Sequence, residues 1–422
     1  MALKPVNLAK INVLVTSLNA IIIFSQYENN SIAYYYLCNI IFHMKKPSGK
    51  LIKCAGYESF IPDSLPPEIN WTPQLIRSLS DADRLIGQLS GEGKQLPNPH
   101  LLMRPFIKRE AVLSSRIEGT QATLGELLAN DAGAFVNRSP DDLKEVGNYV
   151  KALDHGIQRL ETLPLSLRLI REIHEKLMEG VRGDFATPGQ FRKSQNWIGP
   201  GGCTLQNATY IPPSPDVLMD CLGGWEQFLH DQNIPPLVQA GLLHYQFEAI
   251  HPFLDGNGRV GRLLIILFLI ERKILDAPLL YLSAFFEATR SEYYDRLLAV
   301  SQKSEWTLWM EYFLNGIARM SEDALSRAER INLLIQEWRG IIAGQKPKIL
   351  FDVIGLLAEN PFWTTKKIAE RLNVAFTTAQ RAINLLQEKQ IISQTDQKAQ
   401  RDRVFCATAI MDILDEAPKI NP

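Results

Sequence analysis

The chain has 422 residues, 46% of them hydrophobic, and a formal net charge of −1. That length can bury a sizeable core and predicts two or three domains, while the balanced charge excludes a global pull toward nucleic acid or anionic membrane. Its five cysteines (Cys38, Cys54, Cys203, Cys221 and Cys406) are scattered and lack a Cys-x-x-Cys pair. This predicts reduced thiols in a cytoplasmic protein and argues against a disulfide framework or structural zinc.

Residues 1–43 differ in texture from the rest of the chain. Ile11 to Phe24 and Ile32 to Phe42 are apolar and weakly charged. Lys4 and Lys10 precede the first run as in a secretory leader, but Asn12, Ser17 and Asn19 interrupt it, and it is too short to span a bilayer. Met44 is therefore expected to be the natural start, with the upstream stretch either not native or a poorly ordered arm. No membrane role is expected.

Phe106 to Ile117 carries apolar residues at Phe106, Ile107, Val112, Leu113 and Ile117, compatible with a packed helix. Ser114 and Glu118, four apart, share one face of it. Leu163 to Glu179 is amphipathic through Leu165, Leu169, Ile170, Ile173, Leu177 and Met178. Pro188, Gly189, Gly199, Pro200, Gly201 and Gly202 then break the helical pattern. Trp197-Ile198 and Thr209-Tyr210-Ile211 are predicted as two short strands, ended by Pro212 and Pro213.

A helix over Val238 to Ile250 leads into the most specific stretch of the chain, His251-Pro252-Phe253-Leu254-Asp255-Gly256-Asn257-Gly258-Arg259-Val260-Gly261-Arg262. Gly256 and Gly258 let the backbone bend and turn N–H groups toward an anion. From Arg259 a helix is predicted, its positive end facing that anion. Arg259 and Arg262, three apart, can lie near one side of its first turn and neutralise phosphate. Asp255 offers a hard oxygen for Mg2+. His251 can take a proton near neutral pH without a large pKa shift. His244 lies seven residues upstream, about 10.5 Å along a helix. That is too far to share one zinc with His251, so a hydrogen-bonded core histidine is expected. Leu263 to Ile270 is apolar all round and reads as a buried helix.

Toward the C terminus, Lys346 to Asn360 predicts one helix, Thr364 and Thr365 open a second running to Asn373, and Thr377 or Thr378 caps a third reaching about Gln390. Ile391-Ile392-Ser393 and Arg403-Val404-Phe405-Cys406 read as strands around a polar tip, Asp396 to Asp402. Three helices and a two-stranded wing make a winged helix-turn-helix. Lys366, Lys367, Arg371, Arg381, Lys389, Lys398, Arg401 and Arg403 outnumber Glu370, Glu388, Asp396 and Asp402 by eight to four. The excess is short of a nucleic-acid binder's basic stripe, so DNA is an open partner and a protein-contact or structural role is favoured.

The stretch from His251 to Arg262 is similar to the signature of Fic-domain proteins, His-Pro-Phe-x-Asp/Glu-Gly-Asn-Gly-Arg-x-x-Arg, and fills each specified position. The resemblance covers roughly residues 55–345. It implies transfer of AMP from ATP to a protein Ser, Thr or Tyr hydroxyl, with His251 as general base and Asp255 holding Mg2+. ATP would be gripped by His251, Gly256, Asn257, Gly258, Arg259, Val260, Gly261 and Arg262, with Tyr293, in Glu292-Tyr293-Tyr294, against the nucleotide. Pro252 and Phe253 would be fixtures of the loop. Ser114 to Gly119 resembles the family's inhibitory pattern, Ser/Thr-x-x-x-Glu-Gly/Asn, which implies that Glu118 pairs with Arg262 and blocks productive ATP binding. The segment from Trp197 to Ile211 matches the place of the family's flap, a hairpin that would pair with an extended target segment. Met44 onward, with Phe60-Ile61-Pro62 and Leu65-Pro66-Pro67, resembles a family N terminus.

The expected fold is mainly α: an N-terminal helical region (44–160) with the inhibitory helix, a Fic-type core (161–345) with a hairpin flap, and a winged helix (346–415). The expected function is autoinhibited protein adenylyltransfer, with a protein substrate (the chain itself included) and ATP as partners and a homodimer left open. Two alternatives stand beside it. One keeps the site for removal of AMP or for another phosphate-containing donor. The other is a non-enzymatic winged-helix regulator, disfavoured by the intact signature.

Overall fold

The computed structural model describes residues 47–95, 99–134, 136, 138–181, 187–345, 349–396 and 403–420. The expectations for residues 1–43, and for the polar tip beyond Asp396, lie outside them. Ser48–Pro422 packs as one unit.

Among the described residues the first regular element is a hairpin that the sequence pattern did not announce. β1 (Gly49–Cys54) and β2 (Tyr57–Pro62) pair antiparallel, with Cys54 opposite Tyr57 and Gly49 opposite Pro62. Ala55-Gly56 makes the two-residue turn, and Gly56 takes φ 89°, which suits glycine in a tight hairpin. β2 then meets the expected flap, where the Phe60 N–H donates to the Ile211 carbonyl at 2.8 Å and Phe60 packs on Tyr210. The flap itself differs from two strands. Ile198 and Tyr210 form one isolated antiparallel bridge. Pro200 and the paired prolines at 212 and 213 cannot extend a ladder, because proline lacks the donor.

Helices build the rest: α1 (Pro73–Gln95), α2 (Pro99–Ile117), α3 (Leu124–Asp131), α4 (Pro140–Leu160), α5 (Leu167–Leu177), α6 (Pro215–Leu229), α7 (Pro236–Ile250), α8 (Asn257–Glu271), α9 (Ser283–Ala288), α10 (Arg290–Lys303) and α11 (Trp306–Ile341). Their starts are written locally. Thr123 and Glu126 form a reciprocal capping box on α3. Proline opens α4, α6 and α7, where its missing N–H costs nothing. α7 and α8 are buried on nearly every side, as their continuous apolar sequence requires. Around this central pair stand α2, α4, α5, α6 and α11, and α1 lies along α11.

The C-terminal elements are α12 (Ile349–Glu359), β3 (Phe362–Thr364), α13 (Thr365–Leu372), α14 (Phe376–Glu388), β4 (Ser393–Gln394), β5 (Val404–Cys406) and α15 (Thr408–Asp415). The strands form one antiparallel sheet in the order β3-β5-β4. Thr364 caps α13 as expected, accepting from the Lys367 N–H at 3.2 Å. α14, by contrast, starts at Phe376 behind Ala375, so Thr377 and Thr378 lie inside it and neither caps it. β3 and α15 were not anticipated. Ile391 and Ile392 are core residues just before β4. The set packs on α2 and α11, and Arg109 of α2 and Arg327 of α11 both donate to carbonyls at the end of α15.

Candidate active site

α7 ends where His251 enters the left-handed region at φ 49° and ψ 63°, a conformation costly for a non-glycine residue. Two side chains from outside the loop hold it there. Arg192 donates from Nε to the His251 carbonyl at 2.9 Å and from its backbone N–H to the Pro252 carbonyl at 2.9 Å. Asn196 Nδ2 donates to the His251 carbonyl at 3.1 Å and to the Phe253 carbonyl at 2.8 Å. Asn257 closes the loop from within, accepting the Phe253 N–H at 2.7 Å and donating to its carbonyl at 2.8 Å. Gly256 then takes φ 78° and α8 begins.

Phe253 is fully buried and stacks on His174 of α5, with centroids 3.7 Å apart and planes 4° from parallel. The His174 Nδ1 accepts the Gly189 N–H at 2.9 Å, so its Nε2 carries the proton and donates to the Asp255 carbonyl at 3.0 Å. Burial pushes this imidazole down to about 4, keeping it neutral and the tautomer defined. His174, Arg192 and Asn196 were missed in the sequence. The one available signal was a histidine at a buried position of α5, between Ile173 and Leu177.

His251 faces a carbonyl as well: its Nδ1 lies 3.3 Å from the Glu248 oxygen, which can only accept. Nδ1 therefore bears the hydrogen and Nε2 keeps a lone pair. Burial pushes the imidazole down to about 4, against the expectation of no large shift. The group is neutral, and so able to accept a proton, across the whole physiological range.

The two arginines do not share one duty. Both are buried in α8, but each meets its own carboxylate. Arg262 donates from Nε to Ser114 Oγ at 3.0 Å, and from Nη2 to the Ser114 carbonyl at 2.9 Å and to Glu118 Oε1 at 2.6 Å. Glu118 stands one residue past the end of α2 but continues its face. Burial alone would raise the Glu118 carboxyl; the neighbouring Arg262 outweighs it and holds the group below its ordinary range. A Cβ on Gly258 would fall 2.3 Å from Glu118 Oε1 and 2.9 Å from Arg262 Nη1. Glycine is thus what lets the carboxylate sit over the first turn of α8, where a helix N terminus receives anions. Arg259 instead turns to Glu145 of α4, with Nη1 to Oε1 at 2.7 Å. The separation has a simple cause, since three residues of helix rotate a side chain about 60° short of a full turn.

Tyr293 lies in the core. It is 1% exposed, and its hydroxyl is spent on His244 Nε2 at 2.8 Å. It stacks on Phe286 in the core, while Tyr294, rotated by one helical step, is 40% exposed. His244 is a hydrogen-bonded core histidine, with Nδ1 3.2 Å from the Gly261 carbonyl. A further buried group, unread in the sequence, is Glu248, one turn before His251. Its Oε1 has no hydrogen-bond partner, and burial pushes its carboxyl up to about 7.

The Asp255 side chain is 51% exposed, 3.7 Å from Arg259 Nη2. No group of three or more His, Cys, Asp or Glu side chains suited to a metal occurs among the described residues. One half-exposed carboxylate beside an anion-binding turn nevertheless suits Mg2+, which takes one or two protein oxygens and completes its shell with water and phosphate. No helix among the described residues is long and apolar enough to cross a membrane.

Residues 76–158 match the Fic/DOC family N-terminal model and residues 164–269 the Fic/DOC family model. The chain therefore carries a Fic/DOC family N-terminal segment and a Fic/DOC family segment. It is 30% identical over 155 residues to the protein adenylyltransferase Fic of Drosophila virilis, covering 35% of this chain and 30% of that protein. The Drosophila melanogaster protein of the same name is 29% identical over 155 residues, 35% of this chain and 29% of its own length. The chain thus spans under a third of the curated relatives it matches. The crystal structure of a Fic family protein from Desulfovibrio desulfuricans G20 superposes with a TM-score of 0.54 at 22% identity, over 81% of this chain and 98% of that one. That likeness shows the fold.

Proposed function

We propose that this protein is an autoinhibited protein adenylyltransferase. The observation that carries the reading is the pairing of a neutral His251, its Nε2 unprotonated, with an anion-receiving first turn of α8 that the Glu118 carboxylate occupies. In the forward reaction the hydroxyl of a target Ser, Thr or Tyr loses its proton to His251 Nε2. The oxygen attacks the α-phosphorus of ATP, the bond to the bridging oxygen of the β-phosphate breaks, and pyrophosphate leaves with that electron pair. The N–H groups of Asn257 and Gly258 and the side chain of Arg262 receive the phosphates, and Arg259 adds positive charge behind the loop. Asp255 would hold Mg2+, which supplies charge neutralisation on the phosphates.

With Glu118 in place, Arg262 cannot serve a terminal phosphate, and a carboxylate faces the incoming anion. The test is transfer of label from α-32P-ATP to protein in the wild type, in Glu118→Gly and in Glu118→Gly/His251→Ala. Label gained in the single variant and lost in the double supports the reading. No label in any variant, with ATP bound, shifts the assignment to another donor or to AMP removal, for which the nearby Glu118 carboxylate would orient water.

The helix–strand–helix–helix–strand–strand order of the C-terminal elements supports a winged helix at residues 346–415. Its packing on α2 and α11 favours a structural role ahead of DNA binding. Free Cys54, Cys203, Cys221 and Cys406 are in keeping with a cytoplasmic protein. A homodimer and self-modification belong to the same proposal.

A further inference from the structure

Glu118 touches only one of the two signature arginines, yet the segment that carries it reaches the second by another route. Thr120 follows the Glu118-Gly119 turn and is buried. Its backbone N–H returns to the Ser115 carbonyl at 3.1 Å, closing the end of α2. Its hydroxyl donates to Glu145 Oε1 at 2.9 Å. The same oxygen accepts from Arg259 Nη1 at 2.7 Å. Glu145, Thr120 and Arg259 are all buried, so these bonds form away from water, where each is strongest. Arg259 Nε has no hydrogen-bond partner, which leaves Glu145 as its principal counter-charge, with Asp255 Oδ1 at 3.7 Å.

We infer that Thr120 and Glu145 form a second latch on the inhibitory helix, with Glu145 the positioning residue that ties Arg259 to the docked state of α2. The inference rests on the autoinhibited reading above. One end of α2 is then pinned twice, by Glu118 on Arg262 and by Thr120 on the carboxylate that holds Arg259. Release of Glu118 alone leaves the turn tethered. Release of Thr120 leaves the turn held by Glu118 alone, while Glu145 keeps Arg259 in place beside Asp255. The tether therefore acts on inhibition, and the Glu145–Arg259 pair acts on the reaction.

These two duties separate by mutation of the full chain. Thr120→Val keeps the shape and removes the donor; Thr120→Ser keeps the donor. Thr120→Val should raise labelling from α-32P-ATP about tenfold or more, starting from the lower end of the range one hydrogen bond to a charged group supports. Thr120→Ser should stay at the wild-type level. In the Glu118→Gly background Thr120→Val should add nothing, whereas Glu145→Gln should lower kcat/KM about tenfold, because Arg259 loses its counter-charge. Amide exchange over residues 114–121 should quicken in Thr120→Val and not in Thr120→Ser. Wild-type labelling and exchange in Thr120→Val, beside raised labelling in Glu118→Gly, would overturn the latch. If Glu118→Gly labels no better than wild type, the inhibitory reading itself fails. Exchange then decides the tether alone: faster in Thr120→Val upholds it, and unchanged overturns it.

Discussion

Arg262 Nη2 and Glu118 Oε1 stand 2.6 Å apart although 144 residues separate them in the chain. The guanidinium is fully engaged on that side, because Ser114 contributes both its hydroxyl and its carbonyl. Any phosphate that needs Arg262 must displace a charge-assisted bond whose guanidinium is buried and whose carboxylate is part-exposed. Such bonds are among the strongest a side chain makes.

Glu118→Gly is therefore expected to raise AMP transfer by about 10- to 100-fold, the effect of removing the partly exposed partner of a buried guanidinium. Arg262→Ala should abolish most of that gain. Initial rates with α-labelled ATP check both, and an unchanged rate in Glu118→Gly counts against inhibition by this residue.

The pH profile should carry the mark of burial around His251. Its base form predominates above about 4, so the acid limb of kcat/KM in Glu118→Gly is expected near that pH and not near the 6.5 of free imidazole. A limb centred at 6.5 would mean that the imidazole is solvated when substrate arrives.

His174 makes a prediction of the same sign for stability. Its folded pKa, about 4, lies below the unfolded value of 6.5, so the unfolded chain binds more protons between them. The stability at stake is fully present above 6.5 and is lost as pH falls toward 4. From pH 7 to pH 5 the loss from this one group is about 2 kcal/mol. Urea melts at the two pH values, with His174→Phe as the flatter control, measure it. In the Glu118→Gly background, His174→Ala should also lower kcat/KM about 10- to 100-fold, the usual cost of losing an outer-shell partner, because His174 holds the backbone carbonyl of Asp255, the residue proposed to hold Mg2+.

Glu248 runs the other way. Its carboxyl is pushed up to about 7, so the folded state holds the proton more tightly and stability falls as pH rises from about 4.5 through 7. Glu248→Gln should raise Tm at pH 8, by about 1–3 °C, and change little at pH 5. Equal shifts at both pH values would assign the effect to packing.

Much of this site is legible in the order of residues. The twelve from His251 to Arg262 are contiguous, so their glycines, carboxylate, base and arginines had to converge. Four-residue spacing put Ser114 and Glu118 on one face. The apolar run Leu263 to Ile270 announced α8 as a buried helix. Side-chain direction lay beyond local signals: Tyr293 and Tyr294 are neighbours in sequence, and only packing decides which one turns inward. The flap segments do pair at Ile198 and Tyr210, but strand texture at Trp197 and Thr209 says nothing about whether the ladder can continue past Pro200 and Pro212.

The chemistry available, namely a base, a carboxylate, an anion-binding turn and two arginines on one loop and helix, was written in the chain itself. Backbone geometry ties adjacent residues together at fixed spacing, so no distant contact was needed to assemble it. How those groups are set is a matter of tertiary packing. Arg192 and Asn196 hold His251 in a left-handed conformation, His174 stacks under Phe253, and Glu118 and Glu145 claim one arginine each. These partners lie from 55 to 144 residues away, or on separate helices whose relative rotation comes from core packing. Burial then lowered the two imidazoles and raised Glu248, because desolvation depends on what surrounds a charge and not on its neighbours in the chain.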